Sequence, residues 1–127
     1  MATPPVLSEE EKLRFQELQA FERDAVKQIE KIEMLLRSFR NARYSEETAQ
    51  YDVSFEKQQA RKLLDANVKL RAQADFYGDF FTGEILDKVQ TYLLDIANLE
   101  NNPSTEAVLD IKQRVGNQNL IASLQVF

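Results

Sequence analysis

The chain has 127 residues, 43% of them hydrophobic, with three Gly, three Pro and no Trp, which is enough for one domain with its own core. Its net charge of −5 opposes sequence-independent attraction to phosphate backbones, so no nucleic-acid partner is expected. There is no Cys and no His, which removes disulfides, thiolate metal sites, imidazole ligands and every Ser/His or Cys/His nucleophile, and no catalytic residue, metal ligand or cofactor is assigned.

Residues 1–7 contain Pro4 and Pro5 and read as an extended leader. They lack the basic segment and apolar run of a secretory signal, and no apolar stretch approaches the length of a membrane span. A membrane would therefore be met only through a segment absent from this sequence. Residues 8–127 read as a single helical bundle domain. Ser8 followed by Glu11 matches a capping box, with Glu9 and Glu10 where the helix dipole favours negative charge. From there Leu18, Phe21, Ala25, Ile29, Ile32, Leu36 and Phe39 recur at spacings of three and four, one stripe of a helix reaching about Asn41. Such a helix would be about 50 Å long, and its stripe demands a cover.

The segment from Asn41 to Asp52 loses periodicity and reads as a loop. A second helix starts at Ser54 and carries Ala60, Leu63, Asn67, Leu70 and Ala74 on one stripe. Asn67 there is either a structural hydrogen-bonder that fixes register or a ligand contact. Residues 75–83, with two glycines and four aromatics, form a corner, read as an aromatic plug closing one end of a bundle with an aromatic recognition pocket as the alternative.

A third helix from about Gly83 to Leu99 carries Ile85, Val89, Tyr92, Leu93 and Ile96, and leaves Leu94 needing a second cover. Asn101 to Ser104 make a turn and a cap before a short fourth helix with Ala107, Val108, Ile111 and Val115, stopping near Gly116. The tail from Asn117 fits a helical turn at Leu120, Ile121 and Leu124 and a strand at Ala122, Leu124 and Val126; a short helical segment followed by an extended, packed end is expected. The fold class is all-α, an antiparallel helical bundle of about four helices with a long N-terminal helix and a short packed C-terminal tail.

Candidate chemistry is sparse. Glu30 with Glu33, and Asp75 with Asp79 and Glu84, are the carboxylate groupings that helical spacing brings together, and the second admits a hard-cation site built from oxygens. Arg37, Arg40 and Arg43 form a basic edge that also complements a helix C-terminus. Met34 lies opposite the main stripe of the first helix, and Phe15 and Val26 lie off its edge, leaving apolar surface for a protein partner or for self-association. Two functions are therefore carried forward. One is a non-catalytic interaction or sensory domain using Phe15, Met34, Arg37 and Arg40. The other is a small-molecule or cation-binding bundle centred on Asn67, Arg71, Tyr77 and Asp79.

Residues 60–67 (Ala-Arg-Lys-Leu-Leu-Asp-Ala-Asn), then Arg71, Gly78-Asp79, residues 93–99 (Leu-Leu-Asp-Ile-Ala-Asn-Leu) and Asn102-Pro103-Ser104 resemble the C-terminal helical domain of bacterial membrane-anchored proteins of anti-sigma-factor type. In that family a zinc-finger-like cytoplasmic segment and one membrane span precede the helical domain. Neither is in this sequence, so the resemblance implies an envelope-side sensing or scaffolding domain, periplasmic or in the cell envelope with a cytoplasmic location as the alternative, and no sigma-factor contact by these residues.

Overall fold

The computed structural model describes residues 6–117 and 120–125, the side chain of Asn117 excepted. Helix α1 (Glu9–Arg40) opens at Ser8, whose Oγ accepts from the Glu11 N–H at 3.1 Å, and its last turn carries Arg37 and Arg40. The expected stripe from Phe21 to Phe39 is buried, with Gln28 and Leu35 beside it. Leu18 is half-buried, and every residue from Glu9 to Glu17 is exposed. The first two to three turns of α1 therefore overhang the bundle. Of the leader expected over residues 1–7, Val6 and Leu7 are described: they are exposed and carry no regular structure, and the rest lies outside the described residues.

The stretch read as a loop holds a small hairpin. Strand β1 (Tyr44–Ser45) pairs antiparallel with β2 (Gln50–Tyr51), Tyr44 opposite Tyr51 and Ser45 opposite Gln50. Two-residue strands are too short to show an alternation, and for that reason the sequence did not reveal them. Lys112 anchors this hairpin, its Nζ donating to the Ala42 carbonyl at 2.7 Å and lying 4.7 Å from the Tyr51 ring centroid.

Helix α2 (Ser54–Tyr77) buries Ala60, Leu63, Asn67, Leu70 and Ala74 as expected, and adds Glu56, one turn earlier on the same stripe. It ends at Gly78, whose φ of 68° is the left-handed conformation that glycine takes without a Cβ penalty. Helix α3 (Phe80–Ala97) starts three residues before the expected Gly83 because Asp79 caps it: Oδ1 accepts from the Thr82 N–H at 3.1 Å and Oδ2 from the Thr82 hydroxyl at 2.6 Å. Its buried row runs through Thr82, Leu86, Val89, Leu93 and Ile96, with Tyr92. Leu86 takes the place expected for Ile85, which is half-buried, and Leu94 remains exposed with no second cover.

Helix α4 (Thr105–Asn117) is capped by Ser104, whose Oγ accepts from the Ala107 N–H at 3.1 Å, and ends one residue past Gly116, near where it was expected to stop. Helix α5 (Leu120–Gln125) buries Leu120, Ile121 and Leu124, so the tail is helical where it is described; the extended end expected after it lies at residues 126–127, outside the described residues. The two-residue turn makes α2 and α3 an antiparallel hairpin. Helix α1 packs on α2 along one side and receives α4 and α5 along the other, while α4 also meets α3. One hydrophobic core runs through all five helices. The chain is an all-α helical bundle with one tiny two-stranded sheet, and among the described residues no helix is long and apolar enough to cross a membrane.

Candidate interaction surface

The seam between α1 and α2 is fastened from inside by two polar contacts. Gln28, buried on α1, donates from Nε2 to the Leu63 carbonyl at 2.8 Å, and Ser38 donates from Oγ to Glu56 Oε1 at 2.6 Å. Each satisfies a polar group that would otherwise be costly in the interior. Between the two contacts the helices leave an open groove of about 350 Å³ lined by Lys31, Met34, Leu35, Ser38, Phe55, Gln59 and Leu63. Leu35 and Leu63 are buried in its floor, whereas Met34 and Phe55 on its lips are 70% and 61% exposed. Two large apolar side chains exposed on the facing lips of one apolar-floored groove form a continuous patch of the kind that marks interaction sites.

Toward the overhanging end the seam continues as a shallower hollow of about 220 Å³, with Asp24, Lys27, Lys31 and Lys69 among its lining. Three lysines against one carboxylate make this rim locally positive on a chain that is acidic overall. A larger hollow of about 600 Å³ is lined by six residues that all belong to α1, from Gln19 to Glu30, so it is an open helix face without a second wall.

The aromatic corner did not become a plug. Tyr77 alone turns inward, stacking on Phe21 with ring centroids 5.2 Å apart, while Phe76 and Phe80 are 81% and 78% exposed and Phe81 is also exposed. The rows of buried residues explain this: α2 and α3 bury Ala74, Thr82 and Leu86, and the period places the phenylalanines off those rows. Ring size argued for burial and helical register decided against it.

The eight sequence-selected residues separate into two groups. Phe15 lies in the exposed overhang and Met34 on the groove lip, so they do not share one patch. Arg37 pairs with Glu33, NH2 to Oε1 at 2.8 Å, and Arg37 and Arg40 both line a polar hollow of about 250 Å³ against α4 and α5. The other four belong to the α2–α3 hairpin. Asn67 donates from Nδ2 to the Leu86 carbonyl at 3.0 Å, and its Oδ1 is buried without a hydrogen-bond partner. Arg71 bridges the hairpin, Nε to Asp87 Oδ1 at 2.7 Å and NH1 to Asp75 Oδ1 at 2.6 Å. Its hydrogen bonds to Asp87 and then Asp75 raise its pKa further above the usual guanidinium value. Tyr77 is stacked and Asp79 caps α3, so all four are already engaged within the protein.

Gly83, read as a helix weakener, lies inside α3 with the Arg71 guanidinium packed over it: a Cβ there would stand 3.0 Å from Arg71 NH1, and the arginine would have to give by a few tenths of an ångström. Among the described residues no group of three or more His, Cys, Asp and Glu is placed to hold a metal ion. Phe55 was missed by sequence reasoning, although a signal existed: extending the α2 stripe back from Ala60 and Leu63 lands on Glu56, which leaves Phe55 pointing elsewhere. Comparison with protein-family models, with curated proteins and with solved structures finds no match to the chain.

Proposed function

We propose that this chain is a non-catalytic helical interaction domain that works through the α1–α2 groove, as the envelope-side sensory part of a stress-response regulator. The observation that carries the interaction reading is the exposure of Met34 and Phe55 above a floor of Leu35 and Leu63. Grooves of this form between two helices receive an amphipathic segment whose apolar face replaces the water over the floor. The periplasmic or cell-envelope location, with cytoplasmic as its alternative, rests on the motifs of residues 60–104 that resemble the anti-sigma-factor type.

The test is recovery of a binding protein from envelope extract by the wild-type chain and by Met34→Asp, Phe55→Asp and Leu94→Asp. The groove reading expects recovery to fall at least tenfold for the first two variants and to persist for Leu94→Asp, which changes an exposed residue outside the groove. Equal recovery by all four removes the groove as the binding surface.

The alternative, a small-molecule or cation-binding bundle, draws on the unpartnered Asn67 Oδ1. A thermal-shift screen with divalent cations and metabolites addresses it, since a ligand present at 100 times its dissociation constant adds about 2.7 kcal/mol. No shift with any of them leaves that alternative without support.

A further inference from the structure

Beside its core stripe, α1 carries a second pattern. Leu13, Ala20, Lys27 and Met34 share one face with Glu10, Glu17, Asp24 and Lys31, so that face is mostly charged with three apolar residues set among the charges. That face is exposed or half-buried throughout, and its lower half is the α1 wall of the lysine-rimmed groove. The charges along α1 are unevenly spread: residues 9–22 hold five carboxylates and two cations, and residues 23–40 hold five cations and three carboxylates. A helix with opposite net charge in its two halves is complementary to itself when run antiparallel.

We infer that the α1–α2 groove receives α1 of a second copy, antiparallel, about a two-fold axis near Glu22. In that register Glu17 faces Lys27, Glu10 comes over Met34, Leu13 lies along the stem of Lys31, and Ala20 packs by Asp24. Each overhang, which covers nothing in its own chain, then lies on the partner's groove. Symmetry makes every contact twice, which is how a short helical segment approaches the about 1,200 Å² of total burial that a specific interface needs. The phenylalanines at the α2–α3 tip are the competing seat for the overhang, but residues 76–84, which hold them, carry Asp79 and Glu84 and no Lys or Arg, so that stretch disfavours Glu9 to Glu11. The inference rests on the groove being an interaction surface and names what fills it.

The chain has no Cys, so introduced cysteines report without background. In the double variant Leu13→Cys/Lys31→Cys the two thiols are about 27 Å apart along one helix, far beyond disulfide reach, and any bond must join two copies. Sedimentation equilibrium of the full chain is expected to show a dimer that weakens with salt, and the cysteine variant to oxidise to a covalent dimer. Glu17→Lys or Lys27→Glu alone should each weaken association about tenfold, because the lost pair is counted twice, and the two together should restore it. Both positions are exposed, and unchanged helical circular dichroism verifies folding. A monomer at every concentration, a dimer indifferent to both single reversals, or a double variant that stays weak overturns the inference. If the chain is monomeric while Met34→Asp still loses a captured protein, the groove serves a different partner and the inference falls alone.

Discussion

At Asn67 one side chain both fastens the hairpin and carries an unmet cost. The Leu86 carbonyl accepts a hydrogen bond, so the nitrogen must face it, and this orientation leaves Oδ1 buried without a partner. An aspartate there loses the donor and sets a carboxylate against a carbonyl, whereas a leucine removes both the bond and the orphaned oxygen. Asn67→Asp is therefore expected to lower unfolding stability by about 1–3 kcal/mol or more in urea titration, with Asn67→Leu well above it. The sequence showed Asn67 as the anomaly of its stripe and offered register-fixing as its role, which its bond across to α3 matches. The position of the unpaired oxygen depends on which carbonyl of α3 lies opposite, and that is a tertiary fact. Arg71 and Gly83 repeat the lesson: a glycine that costs helix stability locally gives room to a guanidinium arriving from the neighbouring helix.

Among the elements, the starts of α1, α2 and α4 were legible, α2 without a side-chain cap and the other two with one. Ser8 and Ser104 each accept the hydrogen bond from the N–H three residues on, and both starts were visible in the sequence. Asp79 does the same for α3 but sat inside a corner dense with aromatics, and the start of the helix was placed three residues late. These caps are not equivalent. Asp79 fixes the turn of the most closely packed helix pair, while Ser8 caps an overhang that buries nothing until Leu18. Asp79→Ala should lower stability by about 1 kcal/mol in chemical denaturation, and Ser8→Ala should leave it unchanged within error while loosening the first turns in amide exchange. The candidate site was half legible. Met34 could be picked as the residue opposite the core stripe, but its companion Phe55 comes from another helix, and only packing brings the two to one groove.

Across the whole molecule, the single titrating group of the interior that shifts in a measurable range is Tyr92 among the described residues. It is 4% exposed; burial raises its phenol above the ordinary value of 10.0, and the nearby Arg114 guanidinium only partly opposes this. The folded state thus holds the proton more tightly than the unfolded chain does. The corresponding stability is complete below pH 10.0 and is lost as pH rises through the folded value. A urea midpoint followed from pH 9 upward should fall, and Tyr92→Phe should flatten that part of the decline. Fold class was readable because all the stripes share one helical period; the partition of cover among α2, α4 and α5 was not, since any amphipathic face satisfies the same apolar demand.

The order of that cover bears on how the molecule comes into being. Helix α5 rests on α1, and Gln125 donates from Nε2 to Glu33 Oε1 at 3.2 Å across 92 residues of chain. On the ribosome the row from Phe21 to Phe39 emerges first and waits for nearly all the remaining sequence before its last neighbour arrives. Within residues 9–125 this row stays incompletely covered through most of their synthesis, which makes it a segment that a chaperone has reason to hold.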